Sequence, residues 1–171
     1  MELLIFSDAH GRHDGMQEAI DRQVTGIDAV LFLGDGLRDA DRLLTDGATL
    51  FSVRGNCDWF ADASVEAEMT LSFEGHRLLL THGHLYGVKG GIGALISHAA
   101  TLNADIVLFG HTHTPYCEVI PAGTVVGGRE LTRPMYLFNP GSIGTDASFG
   151  TLSLKNDVVL LSHGSVKKGP F

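Results

Sequence analysis

The chain has 171 residues, 44% hydrophobic and 19% charged, which is enough for one domain with a real core and excludes a disordered chain. A formal net charge of −8 excludes general nucleic-acid binding, unless bound divalent cations reverse the local field. Two cysteines, Cys57 and Cys117, with no CxxC spacing, exclude a disulfide framework and a zinc knuckle and fit a reduced, cytoplasmic setting.

The first apolar run, ELLIF (2–6), predicts a strand. No basic segment precedes it and it stops at Asp8, so it reads as a core strand rather than a leader. DGMQEAIDRQV (14–24) predicts a helix, AVLFL (29–33) a strand, RDADRLL (38–44) a second helix and TLFSV (49–53) a third strand. Short βα units of this kind predict a largely parallel sheet buried on both faces. AEMTLSF and HRLLLT flank Glu74-Gly75, a two-residue hairpin turn. The glycine-rich GVKGGIG leads into a predicted helix over 94–104, and the strand IVLF (106–109) follows. From Cys117 onward the pattern is mostly β (YCEVI, TVV, MYLF, GTLSL, DVVLL), with turn signals at Gly127-Gly128 and Asn156-Asp157. The segment from Cys117 to Pro134 predicts a protruding hairpin, and the tail GSVKKGPF reads as loose. No run approaches the roughly 18 apolar residues of a membrane span. With no repeat or linker in sight, residues 1–171 read as a single α/β domain with two packed sheets and helices outside.

Potential metal ligands recur just beyond five of these strands. Asp8 and His10 follow the first, Asp35 the second, and Asn56, Cys57 and Asp58 the third. His82 and His84 follow HRLLLT, and His111 and His113 follow IVLF. In an open α/β sheet the loops beyond the carboxyl ends of parallel strands share one edge, so residues scattered along the chain can meet there. Singly, each residue has an ordinary reading: Asp8 as a helix cap, Gly34-Asp35 and Asn56 as turns, His82 as a satisfied core histidine. Jointly, those readings require five coincidences at the same end of five strands. Two carboxylates, four histidines and an asparagine form an oxygen/nitrogen set without thiolate, suited to manganese, iron or zinc.

The ordered set DAH, GD, GNCD, THGH and GHTH, with NPGS at Asn139–Ser142, resembles the calcineurin-like metallophosphoesterase superfamily. Within it the chain is similar to the small single-domain YfcE-type phosphodiesterases, over about residues 1 to 162. The resemblance implies a four-layer αββα sandwich and a dinuclear centre. Asp8, His10, Asp35 and His113 would hold one metal; Asp35 would bridge; Asn56, His82 and His111 would complete the other. Manganese is the expected ion, with iron, zinc or nickel as alternatives. The implied reaction is hydrolysis of small phosphodiesters by a metal-activated hydroxide, with Asn56 orienting the phosphate and His84 contacting substrate or supporting the ligands.

Two departures from the family pattern stand out. Many members carry a histidine, which protonates the leaving group, where this chain has Cys57, a thiol with an ordinary pKa near 8.5. NPGS is followed by IGTDASFG rather than a basic Pro-Arg stretch. Of the other histidines, His76 reads as exposed, His98 as packed within a helix, and His13 and His163 as surface residues. Cys117 reads as a structural interior residue. Three alternatives remain: a phosphomonoesterase or nucleotide pyrophosphatase on the same site, a retromer-like scaffold, in which several metal positions are altered, and a different dinuclear hydrolase. The last would carry an HxHxDH run, which is absent. The expected partner is a small phosphoester, with no membrane association; a homo-oligomer is compatible with the sequence.

Overall fold

The computed structural model describes residues 1–24, 26–62 and 64–166. Twelve strands and three helices alternate through it. They are β1 (Glu2–Phe6), α1 (His13–Asp21), β2 (Ala29–Phe32), α2 (Leu37–Ala40), β3 (Thr49–Ser52), β4 (Glu68–Phe73), β5 (His76–Thr81), α3 (Gly93–Thr101) and β6 (Ile106–Leu108). There follow β7 (Tyr116–Ile120), β8 (Val125–Val126), β9 (Arg129–Glu130), β10 (Met135–Asn139), β11 (Ser148–Lys155) and β12 (Val158–Ser165). One five-stranded sheet has the order β12-β11-β1-β2-β3, and the other β4-β5-β6-β10-β7. Each holds three parallel strands: β1, β2 and β3 in the first, which ends at β3 and is extended antiparallel by β11 and β12, and β5, β6 and β10 in the second, flanked by antiparallel β4 and β7.

The strand period of two sorts the core into layers. Leu3, Ile5, Leu31 and Leu33 face the second sheet, where they meet Leu78, Leu80, Ile106, Leu108 and Phe138. Their neighbours Leu4, Phe6, Val30 and Phe32 point the other way, onto Met16, Ala19 and Ile20 of α1 and Leu37 and Ala40 of α2. On the far side, Leu79, Val107 and Leu137 pack against Leu95, Ala99 and Ala100 of α3. The result is the expected four-layer αββα sandwich of two mixed sheets. Each fully buried leucine contributes roughly 1.5–3 kcal/mol, so central strands with both faces covered hold their carboxyl ends firmly in place.

The three predicted turns form hairpins. Both central residues have positive φ at Glu74-Gly75 (48° and 78°), Gly127-Gly128 (55° and 79°) and Asn156-Asp157 (51° and 62°), as a type I′ turn requires. The Gly127-Gly128 hairpin, β8–β9, lies on the α3 side, with Gly127 beside Ser97. The second helix is shorter than its sequence pattern. It stops at Ala40 because the Gln17 side chain both donates to the Leu44 carbonyl and accepts its N–H, holding that backbone outside a helix. The third helix ends at Thr101, and Asn103 (φ 53°) lets the Ala104 N–H return to the Ala99 carbonyl.

Two minor expectations are corrected. His76 is buried, not exposed, because its Nδ1 lies 2.6 Å from the Asp105 carboxylate at the start of β6. Cys117 is exposed, because it lies on the edge strand β7. The end of the tail, 167–171, lies outside the described residues. Among those described, no helix is long and apolar enough to cross a membrane.

Candidate metal centre

The loops leaving β1, β2, β3, β5 and β6 converge at one edge of the two sheets. His82 Nε2 and His113 Nε2, from different strands of the second sheet, lie 3.8 and 3.1 Å from the same Oδ1 of Asp8 in the first. Asp35 Oδ2 lies 3.3 Å from His82 Nε2 and 4.0 Å from His10 Nε2, and so sits between two groups of imidazoles. Asp8, His10 and His113 offer donor atoms all within 4.8 Å of one another, as do Asp35, His82 and His111, and His10, Asp35 and Cys57. The His84 ring lies 5.4 Å from His82 and 6.2 Å from His111 between centroids.

The backbone is strained where these residues sit. Asp8 (φ 55°), His10 (φ 45°), Asp35 (φ 60°), His111 (φ 67°) and His113 (φ 61°) all occupy the left-handed region. Each such non-glycine residue costs on the order of 1–3 kcal/mol, and strain of this kind gathers where side chains must be aimed at a common point.

Hydrogen bonds fix how each carboxylate faces the centre. Asp8 Oδ2 accepts from the Ser7 hydroxyl at 2.6 Å and the His111 N–H at 3.1 Å, turning Oδ1 inward. Asp35 Oδ1 accepts the Cys57 N–H at 2.7 Å, leaving Oδ2 for the imidazoles. Gly55 allows this approach, since a Cβ there would overlap Asp35 Oδ1. Likewise, a Cβ on Gly110 would overlap the Ser7 hydroxyl. His82 Nδ1 lies 2.8 Å from the Leu33 carbonyl; with that nitrogen donating, Nε2 points its lone pair at Asp8 and Asp35.

The chemistry of the pocket fits divalent ions. Asp8 Oδ1, Asn56 Oδ1 and His82 Nε2 are buried without a hydrogen-bond partner. Buried polar atoms without a partner are costly, and two of these, Asp8 Oδ1 and His82 Nε2, face each other at 3.8 Å, as metal donors would. The carboxylates also act on their neighbours. Burial alone would lower the His82 pKa, but Asp35 and Asp8 outweigh it and raise it above the ordinary value. Burial would raise Asp35, yet His82 and the Cys57 N–H hold it well below the usual carboxylate range. His84 and His111 are lowered by burial and then by the charge on His82. Burial, followed by the Asp35 and Asp58 carboxylates, pushes the Cys57 thiol up to about 11.

Two supports of this edge lay beyond the sequence reading. Asp58, noted only as the end of GNCD, accepts the backbone N–H groups of Asp35, Gly36, Leu37 and Gly55, at 2.8 to 3.0 Å, and so ties two ligand loops together. Asn139 and Ser142 of NPGS do the same across the sheets. Asn139 Nδ2 donates to the Gly110 carbonyl at 2.9 Å, and the Ser142 hydroxyl to the Asp8 carbonyl at 2.9 Å.

A two-sheet αββα sandwich with acid–imidazole clusters gathered at one shared strand edge is an arrangement consistent with a metal-dependent hydrolase. The chain belongs to the calcineurin-like phosphoesterase superfamily, whose domain model matches residues 1–162. It is 30% identical to the probable metallophosphoesterase YsnB of Bacillus subtilis, over 92% of this chain and 86% of that protein. It is also 30% identical to the phosphodiesterase YfcE of Escherichia coli K12, over 93% of this chain and 90% of the relative. A solved structure of Vps29 from Entamoeba histolytica, complexed with zinc, superposes with a TM-score of 0.71 at 22% identity, covering 96% of this chain and 99% of that one. At that identity the likeness is one of fold alone.

Proposed function

We propose that the protein is a dinuclear metal-dependent phosphoesterase of the YfcE type that hydrolyses phosphodiester bonds of small substrates. The observation that carries this reading is Asp35, whose Oδ2 lies between His10 of one donor cluster and His82 of the other. Asp8, His10 and His113 would hold one ion, and Asn56, His82 and His111 the other, with Asp35 shared. When bound, two divalent ions supply a nucleophile at neutral pH and neutralise charge on the phosphoryl oxygens. Manganese is the expected metal, because the donors are oxygen and nitrogen with no thiolate among them.

The chain's own residues have separate tasks. Asp8 and Asp35 fix the charge of the site, and Asn56 orients the phosphoryl group through its amide. His84, whose ring lies beside those of His82 and His111, would contact the substrate or support the ligands. In the reaction water adds to phosphorus, one P–O ester bond breaks, and the leaving oxygen takes up a proton, giving a monoester and an alcohol. Cys57 is held protonated beside Asp35, yet a thiol is a weak donor to an alkoxide. That limits the chain to diesters with good leaving groups or to proton delivery by solvent. A hydrolysis screen of diesters, monoesters and pyrophosphates with the metal varied tests the reading. Diesters are expected to lead, and turnover confined to monoesters or pyrophosphates would move the assignment to those classes.

A further inference from the structure

A cavity of about 630 Å³ opens beside the candidate metal centre. Its wall includes His10, Asp35 and Cys57 together with Arg38, Trp59 and Phe60. Trp59 and Phe60 are each 82% exposed, although they sit directly after GNCD and within reach of the centre. The Arg38 guanidinium lies 5.1 Å above the centroid of the Phe60 ring, so one planar group already stacks at this mouth. Neither aromatic belongs to a core cluster, so core packing does not account for their place on the wall of a cavity of ligand size.

Charge narrows what could occupy this cavity. The cavity wall carries Asp39, Asp41, Asp62 and Glu66, against the single permanent cation Arg38. An occupant would therefore keep its anionic part at the metal centre and present a flat, uncharged part to the aromatics. A second or third phosphate would be pushed against carboxylates. A nucleobase satisfies these demands, since it offers a π-face to Trp59 and amino or imino donors to the acidic wall.

Resting on the phosphodiesterase reading, we infer that Trp59, Phe60 and Arg38 form a base-stacking subsite that selects phosphodiesters carrying a nucleobase and a single phosphate. Trp59 and Phe60 determine specificity and take no part in bond breaking.

Trp59 is the sole tryptophan of the chain, so its fluorescence reports on the subsite without any turnover. Metal-loaded protein is titrated with adenosine 5′-monophosphate, ribose 5-phosphate and adenosine 5′-triphosphate. The monophosphate is expected to quench Trp59 saturably and to bind about tenfold tighter than ribose 5-phosphate, the usual scale of one base–aromatic stack. The triphosphate is expected to bind more weakly than the monophosphate. Phe60→Ala and Arg38→Ala keep the fluorophore and are expected to reduce the preference for the monophosphate. Trp59→Ala, followed by calorimetry, is expected to do the same. All three residues are surface-placed, so the variants fold. Metal content and turnover of bis(p-nitrophenyl) phosphate are measured on the same samples and report on the phosphodiesterase reading by themselves. Equal affinity for the monophosphate and ribose 5-phosphate in active, metal-loaded wild type overturns the subsite and leaves that reading standing. An unchanged preference in all three variants also overturns it.

Discussion

Asp58 Oδ2 accepts the N–H of Asp35 at 2.8 Å and that of Gly55 at 2.9 Å, so one carboxylate oxygen fixes the spacing between the loops after β2 and β3. Its other oxygen takes the N–H groups of Gly36 and Leu37. Through these bonds Asp58 sets where the loops carrying Asp35 and Asn56 stand. Hydrogen bonds to a charged group contribute roughly 1.5–3 kcal/mol each, and water replaces part of that on a half-exposed loop. Asp58→Ala is therefore expected to lower stability by about 2–4 kcal/mol. It should weaken metal binding as well, and Asp58→Asn should fall between. Thermal melts with and without added Mn²⁺ check this. Wild-type metal affinity in Asp58→Ala would show that the loops hold their spacing unaided.

Asp35→Ala is expected to be the most damaging single change among the seven proposed ligands. Its carboxylate lies within reach of both His10 and His82, whereas His111 belongs to a single donor cluster. The variant should bind fewer than two ions with measurable affinity, and His10→Ala should retain the Asp35–His82–His111 side. Metal stoichiometry by elemental analysis after desalting separates them. Two tightly bound ions in Asp35→Ala would refute the shared position.

Much of this site was legible in the sequence, for a physical reason. A side chain just beyond a parallel strand is fixed in space by that strand, so the convergence of Asp8, Asp35, His82 and His111 could be read from the apolar runs before them. What could not be read depends on partners far away in the chain. Asp58 looks like one more potential ligand until the Asp35–Leu37 backbone is set beside it. His76 looks exposed after its hairpin turn until β6 brings Asp105 to its ring. The second helix looked longer because its pattern continues to Leu44, and nothing local announces that Gln17 will claim that backbone.

Metal affinity is expected to fall as the pH drops, chiefly on the His82 side. The Asp35 and Asp8 carboxylates raise the pKa of this buried imidazole, so below that pKa a metal must displace a proton from Nε2. The sign follows: a raised pKa keeps the proton on the metal-free protein to higher pH, and binding strengthens as pH rises through it. His111, shifted downward, is already neutral and adds little to this dependence. Calorimetry in buffers of different ionisation enthalpy should detect proton release on Mn²⁺ binding near neutral pH, reduced in His82→Gln. Proton release of full size in that variant would assign the titration elsewhere.

Cys57 separates leaving-group protonation from phosphate orientation. Nitrophenolate leaves with little protonation, whereas an alkoxide needs an acid. On a nitrophenyl diester, Cys57→Ala is expected to keep kcat/KM within about threefold of wild type, while Asn56→Ala loses on the order of a hundredfold. Cys57→His is expected to help most on alkyl diesters. Loss of nitrophenyl turnover in Cys57→Ala as complete as in Asn56→Ala, with metals still bound, would give the thiol a direct role.

Catalysis is proposed to belong to two ions held at the edge shared by the two sheets. The most direct measurement strips the protein with a chelator, verifies metal removal by elemental analysis, and follows bis(p-nitrophenyl) phosphate hydrolysis while Mn²⁺ is returned in increments. No turnover is expected in the stripped protein, with recovery that levels off at about two equivalents of metal. Undiminished turnover in protein verified to be metal-free would contradict this proposal.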